Sequence, residues 1–186
     1  LAGMTIRLAT AADAAAIADI YAPYVTGSTI SFEAEPPGAA EMAARIASGG
    51  ALYPWFVCED EDGALAGYAS ASAFRARHAY RFSVETSLYV ARGRHGRGIG
   101  RQLYETLLPL LERQGFTQAI AAVTLPNEAS IVLHEKLGFV RAGTYERVGY
   151  KLGEWLSVGL WQRPLAPLSD APAEPRPYAE LLSERR

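Results

Sequence analysis

Residues 91–102 read ARGRHGRGIGRQ, and the leucine-rich stretch LYETLLPLLERQG follows. Gly96, Gly98 and Gly100 let the main chain approach a ligand closely with its N–H groups turned inward. A helix starting directly after them adds unpaired amides and the positive end of a dipole. Arg92, Arg94, Arg97 and Arg101 place charge around the rim. The chemistry favoured is capture of a phosphate or pyrophosphate; the competing reading is a flexible, solvated basic turn. There is no G-x-x-x-x-G-K-[ST] run, which argues against a Walker-type site. The glycines also alternate, unlike the G-x-G-x-x-G dinucleotide fingerprint.

Three other groups could do chemistry. Glu85 lies in RFSVETSLYVA (81–91), where Phe82, Val84, Thr86, Leu88 and Val90 alternate with Ser83, Glu85, Ser87 and Tyr89. A carboxylate among small polar residues, facing away from the apolar side, could look into a cleft. Burial there would raise its pKa toward that of a general base; the alternative is a surface strand glutamate. In PNEASIVLHEKLG, Asn127, Ser130 and His134 share one helical face at about 100° per residue. His134 could assist a base or protonate a leaving group, or be a satisfied structural histidine. Asn127 is also a good helix cap. Arg75 and Arg77, two apart in FRARHAY, could clamp a carboxylate or phosphinate, or form a solvated basic loop. Cys58, inside WFVCE, reads as a small core residue rather than a nucleophile.

The elements that must position these groups follow from periodicity. Residues 5–9 read as a short strand, and Asp13 as a cap for a helix carrying Ile17, Ile20, Tyr21 and Tyr24. STISFEAEPPG (28–38) is a turn-rich connection that could equally serve as a substrate lid, and AAEMAARIA is a second helix. Residues 53–59 and 64–73 flank DEDG as a hairpin. The alternating run 81–91 is next. Its helix carries an apolar stripe of Ile99, Leu103, Leu107, Leu110 and Leu111, and Gly115 ends it. QAIAAVTL (118–125) reads as a buried strand. A short helix stops at Gly138, and 139–150 with 154–162 form a closing antiparallel pair. The predicted order is β–α–α–β–β–β–α–β–α–β–β, an α+β (or α/β) domain with a mixed sheet. After Leu165 four prolines and few core residues predict a tail (166–186) that is extended, disordered or laid on the surface.

The bulk numbers agree with one domain of 186 residues: 49% hydrophobic, 20% charged, net charge −2. That balance gives a nucleic-acid role little support, so any positive site must be local. A lone cysteine fits a reducing compartment, and no apolar run approaches the roughly 20 residues of a membrane span. The expectation is a cytoplasmic protein with neither nucleic-acid nor membrane partners.

HGRGIG after SLYV, with PNEASIVLHEKLGF some way downstream, resembles the GNAT acetyltransferase superfamily. ASAFRARHAYRFSVETSLYV, LHEKLGF and GYKLGEWLSVGLWQ are similar to one branch, the phosphinothricin and methionine sulfoximine N-acetyltransferases. The likeness runs from about Thr5 to Leu165, so residues 4–165 would be the acetyltransferase domain. It implies a mostly antiparallel sheet flanked by helices and split between two parallel strands. It also implies acetyl-CoA as co-substrate, no metal, a homodimer, and direct attack in a ternary complex by the amino group of a small amino-acid-like acceptor. Carried over residue by residue, Leu88, Tyr89 and Val90 would hold the cofactor arm, with the Val90 N–H polarising the thioester. Gly96, Arg97, Gly98, Ile99, Gly100 and Arg101 would cradle the pyrophosphate, and Asn127 and Lys136 would touch the cofactor. The wheel puts Lys136 about 180° from Asn127. Arg75, Ala76, Arg77, Glu85, Thr86 and Ser87 would bind the acceptor, with Glu85 and His134 catalytic. His95 departs from the usual Gln or Arg of the loop, and Ser157 from an Asp common in the branch. Other readings are acetyl transfer to a protein N-terminus, polyamine or aminoglycoside, and a non-catalytic acyl-CoA sensor.

Overall fold

The computed structural model describes residues 3–184. Its strands are β1 (Thr5–Leu8), β2 (Trp55–Glu59), β3 (Leu65–Ala73), β4 (Ser83–Val90), β5 (Gln118–Thr124), β6 (Val140–Lys151) and β7 (Glu154–Pro164). Its helices are α1 (Ala14–Thr26), α2 (Ala39–Ser48), α3 (Ile99–Gln114), α4 (Glu128–Lys136) and α5 (Tyr178–Ser183). The strands form one sheet in the order β1-β2-β3-β4-β5-β7-β6. Every neighbouring pair is antiparallel except β4–β5, which is parallel. This is the mixed, mostly antiparallel sheet expected, with the crossover between its parallel strands made by α3.

Alternation along β4 divides the core in two. Val84, Leu88 and Val90 pack with the α3 stripe (Ile99, Leu103, Tyr104, Leu107, Leu108, Leu111) and with Phe139 and Trp161. Tyr89 turns the other way, toward Ile17, Ile20, Tyr21 and Val25 of α1, Met42 of α2, and Val57 and Tyr68. Cys58 is fully buried in the first cluster, and burial raises its thiol pKa, as befits an inert core residue.

Local chemistry explains the element ends. Asp13 does not cap α1 with its side chain. Its carboxylate instead takes the Thr10 N–H at 2.7 Å and pairs with Arg7 at 2.8 Å, because a strand arginine is the stronger partner. Gly115 ends α3 at φ +101° and Gly138 follows α4 at φ +89°, both backbone states that glycine adopts cheaply. Asp60 closes the β2–β3 hairpin by accepting the N–H groups of Asp62 and Ala64, at 3.0 and 2.9 Å. The 27–38 connection is tied down. Lys151 donates to the carbonyls of Val25 and Ser31, both at 2.6 Å, and Tyr21 Oη lies 2.6 Å from Ser31 Oγ.

The segment beyond Leu165 is more than an extended tail. It runs back over the α3 side, where α5 buries Leu181 to 3% exposure in the main core. Gln114 Nε2 holds it by donating to the carbonyls of Leu52 and Arg176, at 2.9 and 3.0 Å.

Candidate active site

The two parallel strands are joined at only three positions: Ser83 with Gln118, Val84 with Ala119, and Glu85 with Ile120. Beyond Glu85 they part. β4 stays paired with β3 through Val90, and β5 with β7 through Thr124. The wedge between them is a slot of about 250 Å³ walled by residues 86–90 and 121–124. Tyr24, His95, Tyr104, Asn127, Leu133 and His134 also line it. Main-chain groups of β4 on this side have no strand to bond, so the slot suits an extended, amide-bearing ligand that can add as a strand.

At the outer end stands the glycine turn. Gly96 and Gly98 have φ of +77° and +75°, and Gly98 leads directly into α3. Gly100 is buried behind Leu88 and Leu133, which line the slot. A Cβ there would come within 2.9 Å of Leu88 Cδ2 and 3.2 Å of Leu133 Cδ2. The start of α3 leaves its first amides without partners inside the helix, the kind of group that can bind an anion. The rim carries less free charge than the arginine count suggests. Arg94 pairs with Asp60 and Arg101 with Glu105, each at 2.6 Å, and Arg92 donates to the Pro23 carbonyl at 3.2 Å.

Glu85 occupies the apex, the last paired residue before the strands separate. It is partly buried, and its side chain makes no hydrogen bond among the described residues. Burial alone raises its carboxyl pKa above the ordinary value. A carboxylate without a counter-ion, set where the two strands part, is chemically able to accept a proton.

The next residue, Thr86, faces the opposite side, where a buried polar chain closes the slot. Tyr104 Oη lies 3.2 Å from Thr86 Oγ1 and 3.1 Å from His134 Nε2, and His134 Nδ1 lies 2.7 Å from the Ser130 carbonyl. Burial lowers the imidazole pKa, so the ring is neutral. A carbonyl can only accept, so Nδ1 carries the proton and Nε2 is left as an acceptor facing the Tyr104 hydroxyl, which shares its one proton between Thr86 Oγ1 and Nε2. Burial also raises the Tyr104 pKa and keeps that hydroxyl protonated. On the other wall, Tyr24 donates to the Val90 carbonyl and lies 2.8 Å from His95 Nε2.

The predicted residues separate into two groups. Thr86 to Val90, Asn127 and His134 line the slot, Glu85 sits at its apex, and Gly96 to Gly100 lead from His95, a lining residue, into α3 without lining the slot themselves. Asn127 also caps α4, its side chain accepting the Ser130 N–H at 3.3 Å. Arg75, Ala76 and Arg77 lie exposed beyond the end of β3 and do not line the slot. Arg75 instead stacks on Phe74 and Tyr80 and reaches Tyr145 Oη at 3.3 Å. Lys136 is exposed and off the slot, as its helical phase requires, and Arg97 and Arg101 point outward. Tyr24, His95 and Tyr104 also line the slot, a place the sequence reading assigns to none of them: there Tyr24 is a helix-face residue and His95 a loop departure. The available signal was a tyrosine hydroxyl inside the α3 apolar stripe, since buried hydroxyls need partners.

A split parallel pair, a glycine turn at a helix start and an unpaired carboxylate at the apex define an acyl-CoA-dependent transferase. Residues 6–158 match the acetyltransferase (GNAT) domain family, and the chain belongs to that family. It is an acetyl-CoA-dependent N-acetyltransferase, with acetyl-CoA as co-substrate. It is 43% identical to the phosphinothricin N-acetyltransferase of Streptomyces viridochromogenes over 92% of this chain and 91% of that one. It is 36% identical to the L-methionine sulfoximine/L-methionine sulfone acetyltransferase of Pseudomonas aeruginosa over 90% of this chain and 98% of that one. Among solved structures, a phosphinothricin acetyltransferase from Sinorhizobium meliloti in complex with acetyl-CoA superposes with a TM-score of 0.89. It is 41% identical, covering 95% of this chain and 98% of that one.

Proposed function

We propose that the chain, through a domain spanning 4–165, acetylates the amino group of a small amino-acid-like acceptor of the phosphinothricin, methionine sulfoximine or methionine sulfone type. The reaction is direct attack in a ternary complex. Glu85 takes a proton from the acceptor ammonium, directly or through one water. The amine nitrogen then bonds the thioester carbon as the C–S bond breaks, and the thiolate takes a proton. The buried Tyr104 hydroxyl, held by His134, is the donor available on the slot side. His134, whose neutral ring has no proton on Nε2, positions that hydroxyl before reaction; as the thiolate forms, the Tyr104 O–H turns to sulfur and gives up its proton, and the tyrosinate left behind is reprotonated from solvent when CoA departs. The Val90 N–H polarises the thioester, and Leu88, Tyr89 and Asn127 bind the cofactor arm. Amides of Gly96 to Arg101 hold the pyrophosphate, with Lys136 at the periphery. Arg75 and Arg77 receive the acceptor carboxylate at the mouth, next to Ala76, Thr86 and Ser87.

The observation that carries this reading is the unpaired Glu85 carboxylate at the point where β4 and β5 part. The names of the relatives support the acceptor class. A homodimer belongs to the same proposal. A row of exposed large apolar residues on the β6–β7 hairpin (Tyr145, Val148, Tyr150, Leu152, Trp155) supports it. Cytoplasmic residence is proposed too, in keeping with the free cysteine. The test is an assay of free CoA released from acetyl-CoA with a panel of amines. Turnover with methionine sulfone, methionine sulfoximine or phosphinothricin, exceeding that with polyamines and aminoglycosides, is the expected result. Cofactor binding without CoA release for any amine would leave a sensor instead.

A further inference from the structure

The stretch between β4 and α3 is loose by composition and tied down from outside. Gly93, Gly96 and Gly98 all take positive φ there. Glycine loses more conformational freedom on ordering than any other residue, so a ligand that had to order this turn itself would bind more weakly. Two arginines of the stretch act as tethers. Arg94 reaches Asp60 in the β2–β3 hairpin at 2.6 Å, and Arg92 reaches the Pro23 carbonyl near the end of α1 at 3.2 Å. The Arg94 N–H also closes back on the Ala91 carbonyl at 3.0 Å.

A third tether comes from α1. Tyr24 is 7% exposed, with its ring against Tyr89 at 5.2 Å between centroids. Its hydroxyl donates to the Val90 carbonyl and lies 2.8 Å from His95 Nε2. A carbonyl can only accept and a tyrosine has one hydroxyl proton, so Nε2 is the donor to Tyr24 Oη. One hydroxyl therefore joins the last residue of β4 to the residue before Gly96, and fixes both ends of the 91–94 stretch. His95 is exposed, and Tyr24 is the side chain it bonds among the described residues. Tyr24 and His95 line the slot, whereas the turn that follows them does not. Their reach to the turn is through the main chain that His95 anchors.

We infer that Tyr24 is a positioning residue for the coenzyme: its hydroxyl, bridging the Val90 carbonyl and the His95 ring, holds the glycine turn in its binding shape before acetyl-CoA arrives. The inference rests on the proposed grip of the Gly96–Arg101 amides on the diphosphate. The test uses the wild type, Tyr24→Phe, His95→Ala, His95→Gln and the Tyr24→Phe/His95→Ala double variant, with urea unfolding as the folding control. Acetyl-CoA affinity is measured by calorimetry. Thiol release with methionine sulfone as acceptor gives the ratio of kcat/KM for acetyl-CoA to that for S-acetylpantetheine, which lacks the diphosphate. The wild type should prefer acetyl-CoA. Tyr24→Phe should weaken acetyl-CoA binding by about three- to tenfold and lower the donor ratio by a similar factor, the worth of one or two hydrogen bonds. The double variant should bind no more weakly than Tyr24→Phe, because both changes break one bridge. His95→Gln, whose carboxamide N–H can still donate to Tyr24, should stay within about twofold of the wild type. His95 is exposed, so its variants decide the matter even where a change at buried Tyr24 disturbs folding. An affinity unmoved in both Tyr24→Phe and His95→Ala, losses that multiply in the double variant, or an equal loss for both donors overturns the role of Tyr24 alone. A wild type that uses S-acetylpantetheine as well as acetyl-CoA overturns the diphosphate reading beneath it as well.

Discussion

Replacing Glu85 by glutamine removes a proton acceptor and keeps the shape of the side chain. The carboxylate is partly buried, has no counter-ion and sits where the strands separate. A positioned general base contributes about 10²- to 10⁴-fold. The variant should therefore lose that much in kcat, or about 3 to 5 kcal/mol of transition-state stabilisation. Acetyl-CoA affinity should stay close to wild type, because Glu85 lies at the apex rather than along the slot walls. Stability should move the other way. A carboxyl whose folded pKa is raised by burial favours the fold in its protonated form. Its ionised form costs stability as pH rises from the ordinary carboxylate value through the raised one. Glu85→Gln should then be more stable than the wild type at neutral pH, with the difference shrinking as the solution is acidified. In the wild type, kcat should fall on the acid side through the same raised pKa, and the variant should lack that limb. The measurements are CoA release against pH, calorimetric titration with acetyl-CoA, and urea unfolding at several pH values. Equal losses of turnover and cofactor affinity, or a less stable variant at neutral pH, would refute the reasoning.

Tyr104→Phe leaves His134 Nε2 and Thr86 Oγ1 without their shared partner in a buried site. It should cost about 1–3 kcal/mol in urea unfolding and lower kcat more than acetyl-CoA affinity. Gly100→Ala drives a methyl against Leu88 and Leu133, both on the slot wall. Overpacking of about 1–3 kcal/mol should appear as weaker acetyl-CoA binding by calorimetry, with little change in acceptor KM. Leu181→Ala empties a core position filled by the C-terminal segment. Thermal or urea unfolding should show a loss of about 2 kcal/mol, and kcat/KM at a temperature well below the transition should hold.

Periodicity carried most of the fold. Alternation in 81–91 placed Glu85 and Tyr89 on one face and Val84 and Leu88 on the other, as packing shows. The glycine turn was legible because Gly96 and Gly98 adopt positive φ, a conformation that composition can announce. What stayed hidden depended on distant partners. Nothing local reveals that β7 inserts between β5 and β6, or that Asp60 and Glu105 neutralise two of the rim arginines. Proline content concealed α5, since the burial of Leu181 is a tertiary event. A cavity of about 470 Å³ under α2 was equally silent in LAGYASASA. Its small residues read as an ordinary strand, and the space appears only when α2 is laid across them.

The sheet is left unfinished between β4 and β5, and the coenzyme's arm is the proposed insert that completes it. A protein built this way has its cohesion coupled to its supply of acetyl-CoA. Binding that favours the folded chain alone slows amide exchange along Leu88–Val90 and raises the melting temperature in step with coenzyme concentration. Cells starved of acetyl-CoA would then hold a looser, more readily degraded population of the enzyme.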